Sequence, residues 1–392
     1  MTTNSLDAYP VVLQVLPALG GGGVERGTVE MAAAITQAGG SALVASAGGM
    51  LAKSVERAGG RNILLPLDTK NPFAILRNAS RLAEVIRGEH VDIVHARSRA
   101  PAWSAYLAAR RTGVKFVTTY HGAYNENVWL KRRYNSVMAR GDIVIAISNF
   151  IANLIVERHH VDPARIRVIY RGADPAVFDP DAVNPARLIK LSRAWRLEDG
   201  QPVILLPGRL TRWKGQTVLI EALARMTNKD VCAVLVGDVQ GRNRYLAELT
   251  ALAERLGVSN RLRIVGHCDD MPAALHLADV VVNASTDPEA FGRVVIEAQS
   301  MAGLVIATDH GGAVETIEHD VTGWRVSPGN VDELAAGLDY ALSLPDDQRD
   351  EIGAAARASV IANYTVARMQ AATLDVYREV LASEVPESGP VG

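Results

Sequence analysis

The chain has 392 residues, of which 48% are hydrophobic and 21% are charged, a composition typical of a soluble globular protein. This length exceeds that of one typical hydrophobic core and predicts two domains. Its two cysteines, Cys232 and Cys268, are too few for a disulfide framework or a cysteine-based zinc site, which favours a reducing compartment.

The start of the sequence and the charge distribution indicate where in the cell the protein works. The apolar stretch Val11–Leu19 is interrupted by Gln14 and follows no basic segment, so it is not expected to act as a signal peptide. No apolar run reaches the roughly 18 residues of a membrane span, and a cytoplasmic protein is predicted. Residues 1–180 hold 21 basic and 14 acidic side chains, a balance of +7, which leaves −9 for the remainder. The basic half could meet an anionic acceptor or membrane surface, or could simply be solvated.

Short apolar runs alternate with helical patterns through the first half. Predicted strands are Val11–Leu16, Ala42–Ala45, Ile63–Leu65, Ile93–His95, Phe116–Thr119 and Ile143–Ile147. Predicted helices include Val24–Gln37, Phe73–Arg87 and Trp103–Arg111. Such alternation predicts a parallel sheet covered by helices on both faces.

Asp and Pro crowd into the segment Asp174–Pro185, which predicts an inter-domain linker. Alternation then resumes with predicted strands at Val203–Leu206, Val231–Val236, Arg263–Val265, Val280–Asn283 and Val305–Ala307. A last pattern over Val366–Leu381 predicts a long helix, and the tail after Pro386 is expected to be frayed. The predicted fold is α/β, with one doubly wound domain over residues 1–180 and another over 187–363.

The loop Gly20–Gly23 follows the first predicted strand and opens a helix. Its glycines would let the backbone approach a ligand, and a helix N-terminus favours an anion. Glu25 and Arg26 stand where a dinucleotide-binding fingerprint would need a third glycine, which disfavours an oxidoreductase of that type. A tight turn without a ligand is the alternative.

Three loops of the second half also follow predicted strands. In the first, Arg209 and Lys214 offer a guanidinium and an ammonium, a combination that suits a pyrophosphate. In the second, Glu289 precedes a helix that starts near Gly292 and contains Glu297, so amides and carboxylates could meet phosphate or sugar hydroxyls. The third contains two adjacent glycines that permit a close turn. Each loop alone could be ordinary surface.

Together these loops resemble the retaining glycosyltransferases of family 4. The motifs that carry the resemblance are, in chain order, Gly208-Arg209 with Lys214-Gly215, Glu289-x7-Glu297, and Gly311-Gly312-x-x-Glu315. The Glu-x7-Glu element is the most specific of them, and the resemblance covers nearly the whole chain. The segments His95–Trp103 and Thr119–Gly122 also look like those of bacterial members that build lipopolysaccharide or related surface glycans.

The family implies the GT-B fold, in which two Rossmann-like domains face a central cleft. It implies that a helix over residues 364–385 packs back onto the first domain, that the second domain binds the donor, and that the first binds the acceptor. The implied reaction moves a hexose-type sugar from a nucleoside-diphosphate sugar, with UDP favoured by analogy, to a glycan or glycolipid. Since no protein nucleophile is assigned, retention implies same-face attack, with the leaving phosphate accepting the proton of the acceptor.

The resemblance also implies roles for single residues. Arg209 and Lys214 would neutralise the donor diphosphate, Glu297 would bind the ribose hydroxyls, and Glu289 would contact the transferred sugar. His121 takes the place of an active-site histidine, although a buried structural histidine at a strand end is the alternative. The remaining donor-side residues are Gly22 and Gly23 of the first loop and the amides around Phe291, Gly292, Arg293 and Val294.

No metal or other cofactor is expected. Asp179-Pro180-Asp181 is the only Asp-x-Asp sequence, and it lies in the predicted linker rather than after an apolar strand. Positive side chains can stabilise a leaving diphosphate in place of Mg²⁺. The expected partners are a sugar nucleotide and a glycan or glycolipid acceptor, and no nucleic acid.

Basic and aromatic residues of the first domain are predicted to face the acceptor. Those assigned to the acceptor side are Arg97, Arg99, Tyr120 and His121. The segment Asn127–Tyr134, read as a helix, brings three cations (Lys131, Arg132 and Arg133) close to Trp129. Such a cluster predicts peripheral docking on the inner face of the cytoplasmic membrane and an anionic glycolipid acceptor, with a merely solvated helix as the alternative.

Two other functions remain open from the sequence. A sugar-nucleotide epimerase on the same fold would convert the donor without any acceptor. A non-catalytic sugar-nucleotide sensor would bind without turnover, although the retained Arg209, Lys214, Glu289 and Glu297 argue against a degenerate site.

Overall fold

The computed structural model describes residues 10–124, 126 and 128–383 and divides them into two compact units. The first unit contains the described residues up to Tyr170 together with those from Arg368 onward. The second unit is Arg171–Ala367. None of the described helices is both long and apolar enough to cross a lipid bilayer.

The first unit is built on a seven-stranded parallel sheet. Its strands are β1 (Val11–Val15), β2 (Ser41–Ser46), β3 (Arg61–Leu64), β4 (Ile93–Ala96), β5 (Lys115–Tyr120), β6 (Ile143–Ala146) and β7 (Ile166–Val168). The spatial order is β3-β2-β1-β4-β5-β6-β7, so the order reverses between β1 and β4. Interior strands such as β6 are buried along their whole length, which explains the unbroken apolar sequence of β6.

Helices connect these strands, and local signals set their ends. They are α1 (Gly23–Gln37), α2 (Ala52–Arg57), α3 (Pro72–Gly88), α4 (Arg99–Thr112), α5 (Trp129–Asn135) and α6 (Asn149–His159). The Asn71 side chain caps α3 by accepting hydrogen bonds from the amides of Phe73 and Ala74, and Pro72 fits the first turn. Helix α4 ends at Gly113, whose φ of +78° stops it in the left-handed conformation.

The second unit repeats the plan with six parallel strands. They are β8 (Val203–Pro207), β9 (Cys232–Val236), β10 (Leu262–Gly266), β11 (Val280–Asn283), β12 (Leu304–Thr308) and β13 (Trp324–Val326), in the order β10-β9-β8-β11-β12-β13. The helices are α7 (Pro185–Trp195), α8 (Gln216–Arg225), α9 (Asn243–Arg255), α10 (Met271–Leu277), α11 (Arg293–Ser300), α12 (Val331–Ser343) and α13 (Asp346–Asn363). The prediction of two doubly wound α/β domains is confirmed.

The predicted linker Asp174–Pro185 is instead packed within the second unit. Phe178 is buried, and its carbonyl accepts hydrogen bonds from Ser300 Oγ at 2.8 Å and Arg357 Nη1 at 3.1 Å. The Arg357 guanidinium also pairs with Asp179 at 3.1 Å. The chain therefore enters the second unit after Tyr170, ahead of the predicted domain end at residue 180.

The last helix, α14 (Val366–Ala382), returns the chain to the first unit. Its Tyr377 hydroxyl lies 2.7 Å from Nδ1 of buried His95, whose Nε2 lies 2.7 Å from Thr119 Oγ1. Burial, aided by the nearby Arg97 charge, places the pKa of His95 well below its usual value, so this link is a neutral one. The C-terminal helix belongs to the first unit, as predicted. Residues 384 and 385 of the predicted 364–385 span lie outside the described residues, and so does the tail after Pro386.

Gly215 and Gly257 have similar backbone angles, and we expect substitution of Gly215 to destabilise the protein more than substitution of Gly257. A Cβ at Gly215 (φ +72°) would lie 1.8 Å from the Ala284 carbonyl oxygen, whereas one at Gly257 (φ +70°) would meet nothing within 4 Å. Gly257→Ala should lower the free energy of unfolding by about 1–2 kcal/mol through its left-handed backbone. Gly215→Ala should cost at least about 2 kcal/mol more, since loop backbones must separate. Equal losses in chemical denaturation would contradict this close approach.

Candidate donor and acceptor sites

The strand order locates a candidate site in each unit. In open parallel sheets, ligands bind beyond the carboxyl ends of the strands where the order reverses. In the second unit this point lies between β8 and β11, which are adjacent. The loop with Arg209 follows β8 and the loop with Glu289 follows β11, so the fold brings these sequence-predicted motifs together.

The loop after β8 presents an exposed arginine on a fixed backbone. Gln216, fully buried, donates from Nε2 to the Arg209 carbonyl at 3.0 Å and accepts from the Tyr245 hydroxyl at 3.2 Å. The Arg209 side chain itself is exposed, and no carboxylate of the described residues lies within ion-pair distance of it. Nearby Arg212, by contrast, is paired with Glu248. Arg209 is thus an uncompensated cation at the switch point.

Lys214 forms an ion pair that the sequence did not predict. Its Nζ lies 2.6 Å from Glu289 Oε1, and the two side chains are only 15% and 11% exposed. The Ser285 hydroxyl also donates to this carboxylate. Burial alone would raise the pKa of Glu289, but Lys214, Ser285 and Asn283 outweigh it and hold the pKa below its usual value. The site therefore contains an ionised, nearly buried carboxylate.

The loop that contains Gly311 and Gly312 packs closely against the backbone of the Glu289 loop. A Cβ at Gly311 would lie 2.5 Å from the Glu289 carbonyl oxygen, and one at Gly312 would lie 2.3 Å from that of Ala290. The Gly312 amide donates to the Glu289 carbonyl at 2.8 Å. These two glycines therefore serve the packing of two loops, and they begin the short 3₁₀ helix Gly311–Thr316, which also contains Glu315.

Helix α11 offers an N-terminus without a side-chain cap. It begins after Gly292, whose φ is +83°. Within it, Arg293 Nη2 lies 3.2 Å from Glu297 Oε1, and both side chains are mostly buried. The Phe291 side chain is buried against the Tyr364 ring, with centroids 6.0 Å apart, and therefore does not face a ligand.

The glycine loop of the first unit has no comparable packing reason. Gly22 is the N-cap of α1 and, like Gly23, is exposed. A Cβ at Gly20 would meet nothing within 4 Å, and one at Gly21 would meet only Met50 at 3.7 Å. Neither has a positive φ. At Gly22, by contrast, a Cβ would lie 2.5 Å from Glu25 Oε2, so a carboxylate of the first turn lies beside the N-cap.

Two residues assigned to the acceptor side have buried side chains. Arg97 is 2% exposed and donates to Gln14 Oε1 at 3.0 Å, because its side chain points into the sheet rather than beyond it. Tyr120 is fully buried, and its hydroxyl lies 3.1 Å from His159 Nε2. Neighbours enclose both side chains in this structure, and the assignment of Arg97 and Tyr120 to the acceptor side stays a prediction.

The other acceptor-side residues are more accessible. His121 is half-buried and directly follows β5, and Arg99 opens α4 with its guanidinium 3.1 Å from Asn135 Oδ1 and 4.1 Å from the Tyr124 ring centroid.

Helix α5 carries the predicted basic and aromatic cluster on the surface. Trp129 is 68% exposed and Leu130 61%, and Lys131, Arg132 and Arg133 are exposed as well. The guanidinium of Arg132 donates to the Arg158 carbonyl. Asn127, at the start of the predicted segment, lies outside the described residues. Of the two exposed apolar side chains, Trp129 was part of the sequence argument and Leu130 was not.

Ser285 and Asn283 are site residues that sequence reasoning missed. Ser285 Oγ donates to Glu289 and also lies 2.9 Å from Asn283 Oδ1. The carbonyl of Ser285 accepts from Thr308 Oγ1 at 2.9 Å and lies 2.9 Å from His310 Nε2. The available signal was that a polar Asn-Ala-Ser follows a purely apolar strand.

Two family models match the chain. Residues 189–359 match "Glycosyl transferases group 1" and residues 21–177 match "Glycosyltransferase Family 4". A D-inositol 3-phosphate glycosyltransferase of Salinispora tropica is 30% identical over 326 residues, which are 76% of this chain and 66% of that protein, just under two thirds of its length.

Solved structures agree with the family models. A glycosyltransferase from Rickettsia africae superposes with a TM-score of 0.89 at 41% identity, over 96% of this chain and 100% of that one. HepE of Anabaena, solved in complex with UDP and glucose, superposes with a TM-score of 0.81 at 26% identity, over 94% and 99% of the two chains. With its two parallel-sheet Rossmann-like domains, the chain therefore belongs to the family 4 glycosyltransferases of the GT-B fold.

Proposed function

We propose that this glycosyltransferase is a retaining hexosyltransferase that moves a sugar from a UDP-sugar to a glycan or glycolipid acceptor. The observation that carries the proposal is an uncompensated Arg209 beside the nearly buried Lys214–Glu289 pair at the switch point of the second sheet. HepE, which has been solved with UDP-glucose, is 25% identical to this chain and supports the choice of donor. The proposed setting, lipopolysaccharide or other surface-polysaccharide synthesis, rests on the resemblance of the His95–Trp103 and Thr119–Gly122 segments.

The charges of the second unit fit the proposed donor. A diphosphate would be neutralised first by Arg209, whose guanidinium has no competing carboxylate, and then by Lys214. Glu297 would accept hydrogen bonds from the ribose hydroxyls, while Glu289 would contact the transferred sugar. The amides of Arg293 and Val294, and of Gly22 and Gly23, supply further positive dipoles at helix N-termini.

The proposed reaction needs no protein nucleophile. The bond between the anomeric carbon and the diphosphate oxygen breaks, and the acceptor oxygen bonds to the same face of that carbon. The acceptor proton passes to the leaving phosphate oxygen, and His121 keeps the active-site role that the resemblance implies. No resident metal or other cofactor is proposed, because Arg209 and Lys214 can stabilise the leaving diphosphate.

Arg209→Ala should lower the rate of sugar transfer about 10- to 150-fold, because a charge-assisted contact with the diphosphate is lost. Arg212→Ala is the matched control from the same loop, since Arg212 is exposed and already paired with Glu248. That control should change the rate by less than about threefold. Transfer would be measured in excess EDTA as UDP released from UDP-hexoses in the presence of glycan and glycolipid acceptors.

The same assay separates the rival functions. An epimerase would yield a changed sugar nucleotide without acceptor, and a non-catalytic binding protein would bind UDP-hexose without releasing UDP. Equal activity of the Arg209 and Arg212 variants would overturn the donor assignment. Activity that disappears in EDTA and returns with Mg²⁺ or Mn²⁺ would refute the metal-free reaction.

Neutral substitutions of Glu297 and Glu289 should impair different steps, UDP binding in one case and sugar transfer in the other. Glu297→Gln should weaken UDP binding, because ribose is common to donor and product. Glu289→Gln should leave UDP affinity unchanged or slightly tighter, since Lys214 loses its internal partner, yet should reduce transfer at saturating donor. Calorimetric titration with UDP and single-turnover transfer measure the two effects, and an equal loss of UDP affinity in both variants would contradict these roles.

We also propose that the protein works in the cytoplasm and docks peripherally on the inner leaflet through α5. Support comes from exposed Trp129 and Leu130 beside exposed cations on one short helix. An aromatic and aliphatic pair can enter the interface while neighbouring cations meet anionic headgroups. An anionic glycolipid acceptor would be reached in this position.

Charge reversal on α5 should release the protein from anionic vesicles. Lys131→Glu with Arg133→Glu removes two cations that should each contribute about 1 kcal/mol near an anionic surface. Lys53→Glu with Arg57→Glu on α2, also exposed, is the matched control. Co-sedimentation with phosphatidylglycerol vesicles should be lost only in the α5 variant and should fall with salt. Absence of wild-type preference for anionic over neutral vesicles at low salt would rule out docking.

A further inference from the structure

A buried carboxylate joins four segments of the first unit and belongs to none of the donor-site motifs. Glu126 lies between β5 and α5, and its side chain is only 5% exposed. Its Oε1 accepts from Asn135 Nδ2 at 3.0 Å and lies 3.3 Å from His159 Nε2 and 3.5 Å from the Tyr120 hydroxyl. These four residues, termed the Glu126 cluster, connect the end of β5, the segment that follows it, the end of α5 and the end of α6.

The histidine of the Glu126 cluster is a neutral hydrogen-bond donor. Its side chain is 5% exposed. Burial lowers the pKa of His159, and the charges of Arg132 and Arg158 add to this effect, while Glu126 opposes it. The imidazole is therefore uncharged at neutral pH. Its Nε2 must carry the proton, because an unprotonated nitrogen would turn its lone pair towards the Glu126 carboxylate. Arg158, whose Nη1 lies 3.9 Å from Glu126 Oε2, supplies a positive charge nearby.

A second set of contacts fixes the same segment closer to His121. The Tyr124 hydroxyl accepts a hydrogen bond from the His121 backbone amide, so the chain folds back on the first residue after β5. The Tyr124 carbonyl accepts from Arg158 Nη1 at 2.7 Å. Because Arg158 and His159 are adjacent in α6, the end of this helix holds the segment at Tyr124 and again at Glu126.

Stability alone is a weak reason for such a cluster. Burying a carboxylate is costly, and hydrophobic residues of similar volume often stabilise a protein at least as well. Directional hydrogen bonds, by contrast, permit one arrangement of the segments that they join. Since Glu126 lies only five residues after His121, the arrangement that the cluster fixes includes the position of that histidine.

We propose that Glu126 and His159 are positioning residues, which hold the segment after β5 so that His121 keeps its place in the active site. The inference rests on the proposed function in taking His121 as the active-site histidine. The side chains of Glu126 and His159 are enclosed and are not expected to touch a substrate. Their effect should therefore appear in the rate of transfer and in the position of His121, and not in the affinity for UDP.

Two pairs of variants test the proposal by activity. Glu126→Ala and His159→Leu break the cluster and should lower transfer at saturating donor and acceptor about 10- to 100-fold, since a displacement of about 1 Å near the reacting groups has an effect of this size. Glu126→Gln and His159→Gln keep a hydrogen-bonding amide in place and should restore transfer to within about threefold of wild type. The Kd for UDP should stay within about twofold throughout, because the cluster does not contact the donor site.

Two further variants complete the set. Glu157→Ala, which removes an exposed carboxylate from the same helix, is the matched control and should change neither transfer nor UDP affinity. His159→Leu keeps the test available if Glu126→Ala does not fold. Unaltered transfer in the variants that break the cluster would overturn the proposal, and so would an equal loss in their glutamine counterparts.

A second readout follows His121 itself without any substrate. In protein with ¹³C-labelled histidine, the ring signal of His121 is identified among those of the nine histidines by its loss in His121→Asn. This NMR signal should shift or broaden in Glu126→Ala and should match wild type in Glu126→Gln and Glu157→Ala. A merely stabilising cluster would lower the melting temperature of Glu126→Ala and leave the signal unchanged, which would overturn the proposal. Because no transfer is measured, the signal tests the position of His121 even if the wild type transfers no sugar.

Discussion

The ion pair between Lys214 and Glu289 is the contact on which the donor site depends. Each charge would be costly to bury alone, and removal of one partner from such a pair typically costs about 3–5 kcal/mol. The pair joins the loop after β8 to the loop after β11, and Thr286 reinforces this junction by donating from its amide to the Trp213 carbonyl at 2.7 Å. Everything proposed for the donor follows from the position that this junction gives to Arg209 and Glu289.

Glycines allow that junction to form, but the two glycine-rich loops of the protein serve different physical needs. Gly311 and Gly312 are required by neighbouring backbone, because any side chain would collide with the Glu289 loop. Gly20 and Gly21 meet no such neighbour. A sequence shows both as paired glycines, and only the three-dimensional surroundings distinguish loop packing from an open surface that a ligand could approach.

Much of the fold could be predicted from apolar runs, because buried parallel strands must be apolar along their length. The edge strands β7 and β13 were not predicted, because each has only three residues and an arginine in the middle, Arg167 in β7 and Arg325 in β13. The sequence also showed the donor motifs in their order along the chain. It did not predict the ion pair between Lys214 and Glu289, which lie 75 residues apart in sequence. Arg97 and Arg99 show most clearly what the sequence could not predict. Both follow the same strand, yet Arg97 is buried and Arg99 is partly exposed, because their side chains point in different directions.

The return of α14 to the first unit has a consequence for synthesis of the protein. His95 is translated early, but its partner Tyr377 is added only after the entire second unit, whose last residue is Ala367. The two residues lie 282 positions apart, so at translation rates of about 5–20 residues per second this delay is roughly 15 to 55 s. The first unit therefore lacks its closing helix until synthesis of the chain is nearly complete, although most of this unit is made first.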